Sequence, residues 1–349
     1  MTCNRFLTMK KTWAFSGWLI GIGLFITASS PAQESQNNPS ISGPVSQVIT
    51  EYFALPGKFA DWVSGPTKNI DVFPFQPSGN AGSVTESMPG VLYRKQTLVF
   101  DERGHLLEES ERRGDDTLQS KKVFRYDEQG RCAETADFNA DPTPIRKQTF
   151  TYDSQGRNTE TVIWKADGQW EAKSVFTYDR NGKKTEWRQY TAKGPVQTAT
   201  FAYFDTEHRM EVVQSKPDGT LELRQIYLFD SKGNITDHWI VNSAGFLSAT
   251  WTLKYDERGH PTEETLLTPV KGLEFKQTFA YNERGDCIEK AKYGANEDRI
   301  EKVAYVYPYD HRGNWIAKMT YEWFAGSYRP FVRPLCAEYR KIFYREDKK

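Results

Sequence analysis

The chain repeats itself, and the repeat restricts its fold more than any other feature. Aligned on the Asp of a Tyr-Asp-x-x-Gly pattern, nine copies fall at Asp101, Asp127, Asp153, Asp179, Phe204, Asp230, Asp256, Asn282 and Asp310. Six of the eight steps are 26 residues. Taking the anchor as position 0, position −1 is aromatic in all nine copies, and position +3 is Gly in eight, Glu207 being the exception. Position −3 is Phe, Tyr or Leu throughout. Position +7 is acidic in eight copies: Glu108, Glu134, Glu160, Glu186, Glu211, Asp237, Glu263 and Glu289. A period of this length means stacked units, none of which buries its apolar side alone.

Aromatics at −3 and −1 alternate with polar residues, the period of a half-buried strand. Asp at 0 bonds the backbone ahead of it, and Gly at +3 accepts positive φ, so the pair marks a hairpin turn. A second turn, often with Gly (Gly168, Gly194, Gly219, Gly245, Gly272), closes the far end of each unit. Each repeat is therefore a β-hairpin. The expected fold is all-β: an extended, coiled antiparallel meander of about nine 26-residue hairpins spanning 91–323.

A three-residue turn places position 0 opposite +4 and so −3 opposite +7. That register puts the eight acids of position +7 on the aromatic face, together with Phe138, Trp164, Tyr190, Val241, Leu267, Tyr293 and Tyr321 at position +11. The acids then read as a structural ladder hydrogen-bonded to Tyr and Gln side chains, since a buried acid needs partners. Eight equivalent acids do not make a catalytic site, which needs singular residues. The same register turns Trp187 outward, near Gln189 and His238, where an exposed indole beside polar groups can stack a sugar ring. A two-residue loop would reverse these facings.

The flanks are different in kind. Lys10 and Lys11 precede an apolar run from Trp13 to Ala28, followed by Ser30-Pro31-Ala32. Residues 1–32 read as a secretory signal peptide cleaved after Ala32. The alternative is an uncleaved anchor, for which the run from Trp13 to Ala28 is short against the ~20 residues of a full span. Residues 33–48 read as a flexible leader, 49–90 as an irregular cap over the first edge and 324–349 as a C-terminal cap strand. With the signal removed, three of the 46 basic residues go and none of the 46 acidic ones, leaving about −3 and no electrostatic reason for nucleic acid. No second apolar run crosses a membrane.

Chemistry is sparse. His105, His208 and His260 sit at +4 in the turn, where other copies place Arg, Lys or Asn. Cys132 and Cys287 share one slot, which suits a small packed residue, and with Cys336 they make an odd number that allows at most one intrachain disulfide. No zinc spacing, phosphate loop or nucleophile elbow is present, so no catalytic residue, metal or cofactor is expected.

The segments YDEQGR (126–131), YDSQGR (152–157), YDRNGK (178–183), YDERGH (255–260) and YDHRGNW (309–315) resemble those of the YD-repeat, or RHS-repeat, family of bacterial secreted and surface proteins. The resemblance covers about two thirds of the chain. It implies hairpin sheets that coil into spirals or shells, a place outside the cytoplasm, and, for some members, sugar binding. Many members carry a C-terminal toxin, whereas only the short segment 324–349 follows the last unit here. The expectation is a non-catalytic exported protein, periplasmic or secreted, that binds an envelope glycan or protein partner or acts as a scaffold. The alternative is a structural component of a secreted-toxin or enzyme assembly that encloses or presents a partner. An enzyme using the carboxylate ladder would show one acid pair far more sensitive than the rest.

Overall fold

The computed structural model describes residues 41–55, 90–140, 142–324 and 331–345. The expected signal peptide, the first half of the leader (33–40) and residues 56–89 lie outside them. The described strands, in chain order, are β1 (Val45–Ala54), β2 (Val91–Phe100), β3 (Leu106–Arg113), β4 (Leu118–Tyr126), β5 (Cys132–Phe138), β6 (Arg146–Tyr152), β7 (Asn158–Lys165), β8 (Trp170–Tyr178), β9 (Lys184–Thr191), β10 (Gly194–Phe204), β11 (Arg209–Ser215), β12 (Leu221–Phe229), β13 (Ile235–Asn242), β14 (Leu247–Tyr255), β15 (Pro261–Thr268), β16 (Gly272–Tyr281), β17 (Cys287–Tyr293), β18 (Arg299–Val306), β19 (Ala317–Phe324) and β20 (Phe331–Tyr344). Between β10 and β11 lies a single 3-10 turn, Asp205–Glu207. No helix among the described residues is long and apolar enough to cross a membrane.

The connectivity corrects the expected open, coiled meander. The strands form one 20-stranded antiparallel sheet that is closed on itself as a β-barrel. Closure is made by β1, a strand outside the repeat: it pairs with β2 on one side (Val48 opposite Leu98) and with β20 on the other (Val48 opposite Ile342). β1 escapes a reading of the repeat because it straddles the boundary between the expected leader and the expected cap and carries no turn signature. Its alternation is nonetheless present, with Val48, Thr50 and Tyr52 all buried. Joining the two ends removes the unpaired edges that an open meander would have to cap.

The chain divides into two compact units. The first comprises residues 1–145 and 305–349, the second residues 146–304. In the first unit β19, β20, β1, β2, β3, β4 and β5 are neighbours in that order. Its core lies where Ala317, Met319, Tyr321, Ala337 and Tyr339 meet, with the ring of Phe53 edge-on to Tyr339 at 5.5 Å. The second unit is a consecutive meander from β6 to β18. Its most buried stretch is on β10 to β13, where Ala199, Val212, Gln225 and Tyr227 are at most 2% exposed.

The turn explains the motif. In the first full copy, Asp101 Oδ1 accepts the backbone N–H groups of Arg103 and His105, both at 2.8 Å, and Gly104 takes φ 85°. The Asp153 copy repeats this with Gln155 and Arg157. The N–H of Arg157, then its guanidinium, hold the Asp153 carboxyl below the usual carboxylate range. The residue at +4 completes the turn by bonding the other Asp oxygen: His105 Nδ1 at 2.8 Å, Arg131 Nε at 2.7 Å, Arg157 Nε at 2.6 Å, Asn234 Nδ2 at 2.9 Å and His260 Nδ1 at 2.9 Å.

The aromatic at −1 ties each unit to the one before. The hydroxyls of Tyr126, Tyr178, Tyr255 and Tyr281 donate to the carbonyls of Leu106, Asn158, Ile235 and Pro261, each 20 residues upstream and at 2.7 to 2.9 Å. Three of these rings lie on the previous copy's +4 side chain. His105 stacks on Tyr126 at 4.6 Å, His260 on Tyr281 at 4.8 Å, and the Arg157 guanidinium on Tyr178 at 4.9 Å. Thus Asp, Gly, the residue at +4 and Tyr form one chain of contacts running from copy to copy. Cys132 and Cys287 pack beside it, each thiol directed at the carbonyl two residues on.

Candidate functional site

Beyond each turn the strands pair in a register that differs by one residue from the expected one. Tyr126 faces Cys132, as a three-residue turn requires, but Arg125 faces Glu134 and Phe124 faces Thr135. A bulge at +6 has slipped the returning strand by one. The same shift recurs in β2–β3, β6–β7, β8–β9, β12–β13, β14–β15 and β16–β17. The Phe204 copy reaches the same result by a longer turn, with Phe204 facing Arg209 and Ala202 facing Glu211. Because side chains alternate, one residue of slip exchanges the faces of everything beyond it.

This corrects two expectations. The acids of position +7 do not lie on the aromatic face. All eight face position −2 on the opposite side, where all but the buried Glu211 keep contact with solvent and seven are ion-paired. Glu108 pairs with Lys121, Glu134 with Arg125, Glu160 with Lys173 and Glu186 with Arg188. Glu211 pairs with Arg209 and Arg224, Glu263 with Lys254, and Glu289 with Lys302. Side chains at position +11 lie on this ion-pair face too, beneath a lysine in three copies: Lys121 over Phe138, Lys173 over Tyr190 and Lys276 over Tyr293, at 5.3 to 5.6 Å.

The second correction concerns Trp187, Gln189 and His238. Position +8 turns onto the aromatic face, so Trp187 is 6% exposed and faces Phe176 and Ala199. Gln189 follows it two residues on along β9 and is half-buried. His238 is 4% exposed and stacks on Tyr227 at 4.3 Å, its Nε2 2.9 Å from Gln225 Oε1, which also accepts the Tyr227 hydroxyl at 2.7 Å. β9 and β13 are four strands apart, about 19 Å at strand spacing, so the three residues do not converge. Burial pushes the His238 imidazole down to about 4, leaving it neutral at pH 7. Elsewhere on this face, burial lowers Lys184 to about 8 between the rings of Phe176 and Phe201, and burial raises Glu264 against the opposing pull of Lys290 and Lys292.

The ion-pair face holds the feature that sequence reasoning missed. Asp237 is the one acid of the ladder without an ion pair among the described residues. Its cross-strand neighbours are Leu228 and Thr252 instead of a cation. Two residues along β13, on the same face, stands Trp239, 37% exposed. Trp239 faces Ile226 on β12 and Thr250 on β14, and Thr252 in turn faces Thr265 on β15. The hydroxyls of Thr250, Thr252 and Thr265 carry no side-chain hydrogen bond among the described residues. Further toward the far turn, Phe246 and Leu247 are 71% and 45% exposed. The signal was in the sequence: Asp237 is the only non-Glu member of the ladder, and the bulge alone hid which side it faces.

No protein-family model and no curated protein matches the chain. Among solved structures, a porin-like protein from Bacteroides uniformis is similar at 12% identity, over 86% of this chain and 98% of that one, with a TM-score of 0.31. A porin-like protein from Bacteroides vulgatus is similar at 10% identity over 66% of this chain and 93% of its own, with a TM-score of 0.30. A TcdB2–TccC3 structure is similar at 12% identity over 70% of this chain but 18% of its own, with a TM-score of 0.31. Likenesses at this level carry no conclusion about function or location, and the likeness to YD repeats stays one of motif.

Proposed function

We propose that the chain is an exported, non-catalytic repeat protein that serves as a scaffold and binds an envelope glycan or a protein partner on its ion-pair face. One observation carries the reading: of the eight acids at position +7, Asp237 alone has no ion pair among the described residues, and it lies beside the exposed indole of Trp239. The recurring residues are each engaged in structure, Asp in the turn, Tyr in the link between copies, the acid at +7 in an ion pair. None of them is left to act as a singular catalytic group. What varies is the surface around Asp237 and Trp239, and variation on a rigid scaffold is where recognition is placed. Export is supported by the basic and apolar pattern of residues 1–32.

The test is a screen of the purified exported chain against immobilised glycans and, by cross-linking, against envelope extract. Saturable capture that competes with a Trp239-directed modification supports the reading. A turnover abolished by the amide variant of one ladder acid and untouched by the other seven would replace it with an enzymatic one.

A further inference from the structure

We propose that the far-turn rim of the second unit, led by the hairpin of β13 and β14, is a lipid-docking edge whose tips dip into the uncharged interior of a bilayer. The inference goes beyond the binding role proposed above and stands without it.

The exposed apolar side chains of this unit gather at one end. Val196, Phe246, Leu247, Leu267, Val270 and Ile300 each lie in a far turn or close beside one. Val270, at the tip between β15 and β16, is 92% exposed. Beside the opposite turns of this unit, Ile288 is the one exposed large apolar side chain among the described residues. The turn of β13 and β14 is itself unusual. It repeats the geometry of the Asp turn with the charge removed: Asn242 Oδ1 accepts the N–H groups of Ala244 and Phe246, both at 3.0 Å, and Gly245 takes φ 83°. At the position where every Asp turn places a polar residue, it places Phe246. From Trp239 to Leu253 no residue is charged, the longest such stretch in 146–304, and every other far turn of this unit carries a charge.

A bilayer matches this arrangement. Hydrocarbon excludes charge and unpaired backbone groups, and the tip satisfies both demands. The N–H groups of Asn242, Ala244, Gly245 and Phe246 are all bonded within the turn. Trp239 stands three residues before Asn242, about 10 Å up the strand, the level at which an indole sits among headgroups once the tip is inserted. Val241 faces Leu247 and Leu267 faces Leu273, which widens the apolar end across four strands. A second copy of the chain fits less well. Phe246, Leu247, Leu267 and Val270 together expose on the order of 400 Å², about half of what each partner buries in a standard protein interface. The other far turns carry both signs of charge, as in Lys216 and Asp218, so the attraction is apolar and does not depend on anionic headgroups.

The experiment is flotation of the exported chain with vesicles of phosphatidylcholine, repeated with phosphatidylglycerol added, for the parent, Phe246→Asp, Val270→Asp and the double variant. Both side chains sit at exposed tips, so the variants keep the parent thermal unfolding, read by circular dichroism. Trp239 and Asp237 are untouched, so capture of a glycan or protein on the ion-pair face is read separately. The expected result is saturable partition onto phosphatidylcholine that added salt does not weaken. It falls at least tenfold in Phe246→Asp, at least threefold in Val270→Asp, and is lost in the double variant. No flotation of the parent, or flotation that survives the double variant, overturns the proposal. Flotation that needs phosphatidylglycerol and is abolished by salt overturns it as well, because headgroup charge is then the ligand. If vesicles stay bare and Phe246→Asp instead disperses a self-associated chain or releases a cross-linked envelope protein, the rim is a protein contact and the lipid edge is refuted.

Discussion

Replacing one acid and one indole distinguishes the two possible registers. In the observed register Glu160 lies on the solvent side, 3.5 Å from Lys173, with both side chains a little over a third exposed. Such a pair contributes about 0–1 kcal/mol. Trp187 is 6% exposed between Phe176 and Ala199. An indole covers roughly 200 Å², which at about 25 cal/mol per Å² gives on the order of 5 kcal/mol as an upper figure. Measured Trp-to-Ala losses in cores of about 3–5 kcal/mol agree. Glu160→Ala should therefore cost under about 1 kcal/mol and Trp187→Ala about 4 kcal/mol. Urea unfolding, followed by far-ultraviolet circular dichroism and fluorescence together, reads both. With a slope of about 3 kcal/mol/M, Trp187→Ala lowers the midpoint by roughly 1.3 M and Glu160→Ala by less than about 0.3 M. A reversed order, the acid costly and the indole nearly silent, would refute the bulged register.

Other perturbations test separate contacts. His238 titrates near 6.5 when unfolded and is held down to about 4 when folded, so its contribution is present above pH 6.5 and is lost as the pH falls through 4. Stability should drop between pH 6.5 and pH 4, by up to about 3 kcal/mol, and His238→Gln should flatten that part of a urea-midpoint profile. Tyr281→Phe removes the hydroxyl bond to Pro261 at 2.9 Å and should cost about 1 kcal/mol, measured by the same titration. Gly285→Ala should cost more than Gly168→Ala in thermal unfolding. Both positions hold positive φ, but an added Cβ at 285 meets His260 Nε2 at 2.9 Å, whereas at 168 it meets open space.

Much of the fold was legible in the repeat, because turn chemistry is local. Asp at 0 and Gly at +3 report their own backbone, and the alternation around Tyr126 or Tyr178 reports a strand. The bulge was not legible. The side chains at position +6, such as Ala133, Thr159 and Thr185, have no conformational signature, and the slip they absorb shows only in pairing across strands. Trp187 and His238, both buried at position +8, were clues in hindsight, since each packs well only with the aromatics at −3. Closure was hidden for another reason. β1 belongs to no repeat, and its partner β20 lies at the far end of the chain, so no local pattern connects them. The candidate site was missed through the same register, which exchanged Trp187 for Trp239.

The strand that closes the sheet also sets the order of events when the chain folds. Ser46 donates a hydrogen bond to the carbonyl of Phe343, 297 residues away. Hairpins between consecutive strands can form as soon as their residues are available, but β1 must wait for β20. Joining ends this distant costs only about 2 kcal/mol more in chain entropy than closing a single repeat unit; the delay is kinetic. Throughout that interval β2 and β20 present open edges, and β1 can reach the edge of any copy nearby. Crowded refolding should therefore yield dimers exchanging β1, and dilution during refolding should favour the self-closed monomer.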